Sequence, residues 1–95
     1  RGVSAAMRIL LDVSGVENKE ALHRAVRETL CLPAWYGENL DALHDCLTER
    51  TEETELVICG GEQLERTLGG YARSFRRVLL DSAAENSALC VVWKE

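Results

Sequence analysis

Three short apolar runs, each too brief for a helix, punctuate a chain that otherwise carries helical periodicity. They are Met7 to Val13, Leu56 to Cys59 and Ala88 to Trp93. In the first, Met7, Ile9, Leu11 and Val13 alternate on one face and Leu10 is apolar on the other, which predicts a mostly buried strand. The continuous run Leu56-Val57-Ile58-Cys59 has the form of a strand covered on both faces. Each gap between runs holds two helical segments. Asn18 is a suitable N-cap for a helix whose apolar positions are Leu22, Ala25, Val26, Thr29 and Leu30. Pro33 is expected to end it. Gly37 is read as a flexible joint, and Asn39 as the cap of a second helix running to about Arg50. After Gly60-Gly61, Glu62 to Leu68 forms a short helix stopped by Gly69-Gly70. Tyr71, Phe75, Val78, Leu79 and Ser82 mark the inner stripe of the last helix, with Arg73, Arg76 and Arg77 outside.

Helical crossovers between successive strands require parallel pairing with right-handed connections. The predicted architecture is therefore α/β: a three-stranded parallel sheet with covering helices. Ninety-five residues suit a single domain. Met7 is the only methionine, so residues 1–6 are expected to be an appended or loose tail and residues 7–95 the folded domain. No apolar run approaches the roughly 20 residues of a membrane helix. The four cysteines, Cys31, Cys46, Cys59 and Cys90, include no C-x-x-C pair, which speaks against a zinc site. They are expected to be buried free thiols in a reducing cytoplasm.

The net charge of −5 is unevenly placed. Residues 38–55 hold seven acids against one base, Arg50, and the remaining residues are nearly balanced. Such polarity disfavours nucleic acid and suits a basic protein partner. At about 100° per residue, Leu40, Leu43, Cys46 and Leu47 form one stripe of the second helix and Asp41, Asp45 and Glu49 the opposite one. Like charges at i and i+4 cost roughly 0.2–0.5 kcal/mol per pair, so helix stability gives little reason for the arrangement. A cationic partner gives one, while a merely solvated face is the plain alternative. Trp35-Tyr36, just before the stripe, are either core anchors or contact aromatics.

Pro33, Trp35-Tyr36, Gly37-Glu38-Asn39-Leu40-Asp41-Ala42-Leu43 and Asp45-Cys46-Leu47-Thr48 resemble the central motif of the barstar family of ribonuclease inhibitors. The resemblance is dense over about seventeen residues and continues elsewhere as element order. It implies a cytoplasmic protein, monomeric when free and without cofactor or metal, that blocks a secreted barnase-like, guanyl-preferring ribonuclease. By that resemblance Asp45 sits at the enzyme's phosphate site, Asp41 meets a second cation, and Trp35, Tyr36, Gly37, Asn39 and Leu40 line the rim. Thr48 closes the far end, and Asp81 is the nearest match to a further acid on the last long helix. His44, also expected at the contact, stands where the family's founding member has tryptophan, and Trp35 where it has tyrosine. These departures leave open an immunity or regulatory binding module for a different toxin or protein. A metal at Asp41, His44 and Asp45 lacks the second motif that a carboxylate-bridged site needs. A Cys46 nucleophile has no histidine placed to activate it, and RNA binding through Arg73, Arg76 and Arg77 is opposed by the acidity.

Overall fold

The computed structural model describes residues 7–94, so the expected tail at 1–6 lies outside the described residues. The order is β1 (Met7–Asp12), α1 (Lys19–Leu30), α2 (Leu40–Thr48), β2 (Thr54–Cys59), α3 (Gly61–Leu68), α4 (Gly70–Glu85) and β3 (Leu89–Lys94). The strands form one parallel sheet in the order β1-β2-β3, with Leu11 opposite Ile58 and Ile58 opposite Trp93. This is the three-stranded parallel α/β fold that the helical crossovers require.

Two equal-handed crossovers along a β1-β2-β3 order place every connecting helix on the same face of the sheet. The core accordingly lies on one side, built from Leu11, Leu56 and Ile58 of the sheet with Leu22, Val26, Leu43, Leu47, Phe75 and Leu79 of the helices. The opposite face carries Arg8, Leu10, Asp12, Glu55, Val57, Cys59, Cys90, Val92 and Lys94 in register. Leu10 is 63% exposed there, so β1 is buried on one face only, against the expectation for that residue. Val57 is nevertheless buried, since it sits on the central strand between Leu10 and Val92. The cysteine expectation divides in the same way. All four are free, but only Cys46 is buried, while Cys31 and Cys90 are exposed.

Asn18 and Asn39 cap their helices as expected, each side-chain Oδ1 accepting the N–H three residues on, at 2.8 Å. The end of α1 differs from expectation. Cys31, not Pro33, stops it by turning left-handed (φ 55°), and the N–H groups of Cys31 and Leu32 both reach the Arg27 carbonyl. Gly60 is needed where it stands: its φ is +85°, and a Cβ there would lie 2.6 Å from the Ser14 backbone nitrogen. This close approach brings the end of β2 against the loop after β1.

Candidate protein-binding surface

The acidic helix forms as its periodicity predicts. Leu43, Cys46 and Leu47 are buried, whereas Asp41, Asp45 and Glu49, the last being the C-cap, are exposed. Asn86, which follows α4, donates through Nδ2 to the carbonyls of Leu47 and Arg50 at 2.9 Å each. Those bonds tie the residue after α4 to the C-terminal end of α2 and the turn beyond it. Thr48 donates its hydroxyl proton within the helix, to the His44 carbonyl at 2.8 Å, with Asp45's at 3.2 Å. Among the described residues, no Lys or Arg pairs with Asp41, Asp45 or Glu49.

The preceding loop is shaped by Glu38. Its φ is +55°, whereas Gly37, expected to be the joint, does not have a positive φ. Gly37 serves by its size: a Cβ would lie 3.2 Å from Asn39 Nδ2, whose amide donates to the Gly37 carbonyl. The turn carries the Glu38 carboxylate back to Arg27, 2.7 Å away, so Glu38 does not join the acidic stripe.

The aromatic pair splits. Trp35 is 72% exposed, whereas Tyr36 is 4% exposed. The Tyr36 hydroxyl lies 2.5 Å from Nδ1 of the fully buried His23, and Nε2 of that ring lies 2.6 Å from the Tyr71 hydroxyl. One neutral imidazole thus ties the loop before α2 to the first turn of α4, donating at one nitrogen and accepting at the other. Burial holds the His23 pKa below 6.5, although Glu38 and Glu20 act in the opposite sense. Burial likewise pushes the Tyr36 hydroxyl well above the ordinary phenol range and raises Tyr71. Of the ten residues expected at the surface, Tyr36 is therefore the one whose side chain supports the loop from beneath.

His44 is half-buried on the rim. Its Nε2 lies 3.1 Å from a carboxylate oxygen of Glu85, and its Nδ1 lies 4.0 Å from Oδ1 of Asp45. Glu85 is a neighbour of this surface that the sequence reading did not place there. It stands one turn beyond the exposed Asp81 on α4 and reaches the acidic flank because α4 packs on α2. Trp35, Gly37, Asn39, Asp41 and Asp45 are all exposed on one continuous segment, with Leu40 and Thr48 half-buried beside them.

This surface offers carboxylates, the His44 imidazole and one exposed aromatic face. Burial, and then the charges of Glu49 and Asp45, raise the Cys46 thiol and keep it protonated. No group of three or more His, Cys, Asp or Glu among the described residues is placed to hold a metal. Among the described residues no helix is long and apolar enough to cross a membrane. The arginines of α4 are partly engaged inside the molecule: Arg73 pairs with Glu65 at 3.1 Å and Arg76 lies over the Trp93 ring, 4.5 Å from its centroid.

Comparison with known proteins gives the same reading of the family. Residues 6–93 match the family described as "Barstar (barnase inhibitor)". A Bacillus subtilis (strain 168) protein named "Putative ribonuclease inhibitor YrdF" is 37% identical over 79 residues, covering 82% of this chain and 87% of that relative. The family match spans nearly the whole folded unit, including the capped acidic helix and its preceding loop: the chain belongs to the barstar family.

Proposed function

We propose that this chain is a stoichiometric inhibitor of a secreted, barnase-like, guanyl-preferring ribonuclease, and that it performs no chemistry of its own. The observation that carries the reading is the solvent-facing row Asp41, Asp45 and Glu49, with no Lys or Arg of the described chain paired to it. Carboxylates offer the same acceptor geometry to arginine as phosphate oxygens do, with two parallel charge-assisted bonds per guanidinium. A ribonuclease active site must hold cations for its substrate's phosphates, so a rigid helix bearing carboxylates can occupy that place.

Asp45 is the central mimic, with Asp41 one turn earlier meeting a second cation. Trp35, Gly37, Asn39 and Leu40 form the rim with the backbone of Tyr36. His44, Thr48, Asp81 and Glu85 extend the contact toward α4. The −5 net charge speeds encounter with a basic enzyme by long-range steering, most strongly at low salt. A cytoplasmic monomer of this kind acts as an immunity protein or antitoxin, protecting a cell from its own or a neighbour's enzyme.

An RNase inhibition assay against barnase tests the reading. One-to-one inhibition is expected from the wild type. Asp45→Ala leaves the opposing cation buried and unpaired, which costs about 3–5 kcal/mol, roughly a hundredfold to several thousandfold in affinity. Full inhibition by that variant would remove Asp45 from its role. The second reading, a module for a different toxin, is favoured at one point only: the rim carries His44 held by Glu85 in place of a large apolar ring. His44→Trp is expected to change the affinity for barnase.

A further inference from the structure

A concave feature lies beside the C-terminal end of α2, between the rim residue Trp35 and Glu49, the last carboxylate of the acidic row. A groove of about 330 Å³ has Leu32, Pro33 and Trp35 from the loop after α1, and Glu49, Arg50 and Glu52 from the segment before β2. Trp35 contributes an indole that is largely exposed, rather than packed into the core. Arg50 does not occupy the groove with a free charge. Its Nε donates to Thr54 Oγ1 at 3.2 Å, its guanidinium lies 3.7 Å from Glu52, and its side chain is only 13% exposed. Glu49 and Glu52 are both exposed, so the groove combines an open aromatic face with an excess of negative charge.

We propose that this groove receives one arginine or lysine side chain of the partner ribonuclease and so helps to select which ribonuclease is bound. The inference rests on the inhibitor reading and deepens it. A cation is attracted to an indole face and to carboxylates alike. An anion would meet Glu49 and Glu52, and a purely apolar group would strip water from both without replacing its hydrogen bonds. Glu49 also continues the stripe one turn beyond Asp45, so a basic surface engaged at Asp45 extends naturally to the groove.

Two measurements test this. In the first, ¹⁵N-labelled protein is titrated with N-acetyl-arginine methylamide and, separately, with its neutral isostere N-acetyl-citrulline methylamide. Saturable shifts of the Trp35 indole N–H and the Glu49 and Glu52 amides are expected from the arginine compound alone, with a dissociation constant on the order of 10 mM, weakened about threefold or more in E49Q/E52Q. Equal shifts from citrulline, or none from either compound, would overturn the proposal. In the second, barnase is titrated with the wild type, W35A, E49Q/E52Q and D45A. Loss of about 3- to 10-fold in affinity is expected for each groove variant. If D45A abolishes inhibition while the groove variants bind as the wild type does, the groove assignment falls and the inhibitor reading stands. If the wild type does not inhibit, the inhibitor reading fails, and the arginine titration still decides whether the groove takes a cation; full inhibition by D45A removes only Asp45 from its role.

Discussion

Tyr36→Phe removes one oxygen and leaves the apolar ring in place, which isolates a single interaction. The deleted hydroxyl lies 2.5 Å from His23 Nδ1, and both residues are buried. Without it, the Nδ1 side of the imidazole faces a phenyl edge with no hydrogen-bond partner. A buried polar group left unpaired costs about 1–3 kcal/mol, more than the net value of about 1 kcal/mol for an average intact bond. Tyr71→Phe makes the same chemical change at Nε2, but Tyr71 is only half-buried and water can take over its role, so a smaller loss is expected. Urea unfolding followed by far-UV circular dichroism measures both. With a slope of about 1–3 kcal/mol per molar, the midpoint of Tyr36→Phe is expected to fall by roughly 0.5–2 M, and that of Tyr71→Phe by less. Affinity for the partner falls as well, because the bond fixes the loop that presents Trp35. An unchanged midpoint, or a larger fall for Tyr71→Phe, would refute the argument that this buried imidazole ties α4 to the loop.

The same imidazole sets a pH dependence. Above about pH 6.5 it is neutral in both folded and unfolded chains; below that, the unfolded chain takes up a proton that the buried ring resists, so stability declines toward the depressed folded pKa. A fall in the urea midpoint between pH 7.5 and 5.5 is expected, and His23→Gln should flatten it. Gly60→Ala forces a side chain into a left-handed position 2.6 Å from the Ser14 backbone, and is expected to cost about 2–4 kcal/mol, lowering the thermal midpoint by roughly 10 °C or more. Asp45→Asn relieves repulsion from Asp41 and Glu49, so calorimetry should find the free protein as stable as the wild type, or more stable by under about 1 kcal/mol, while inhibition is lost.

Much of this architecture was legible because it rests on local rules. Alternating or continuous apolar runs marked the strands, Asn18 and Asn39 announced the helix starts, and the opposed stripes of α2 followed from spacing alone. What stayed hidden depends on partners distant in sequence. Leu10 has the same apolar character as Leu11, and only the one-sided arrangement of helices decides that it faces solvent. Trp35 and Tyr36 look equivalent as neighbours, yet a histidine thirteen residues earlier draws one of them inward. Glu85 joins the acidic flank through the packing of α4 on α2, a contact across 41 positions that no local pattern encodes. The turns at Cys31 and Glu38 place non-glycine residues in left-handed conformations, which residue type alone does not announce.

A carboxylate that stands in for phosphate must compete with phosphate. The most direct measurement is the apparent inhibition constant for a barnase-like ribonuclease at rising concentrations of a 3′-guanylate mononucleotide. A constant that climbs in proportion to nucleotide occupancy, with Asp45→Ala too weak to compete, is the predicted result. Inhibition that persists unchanged with the nucleotide bound would place the chain elsewhere on the enzyme and contradict the mimicry at α2.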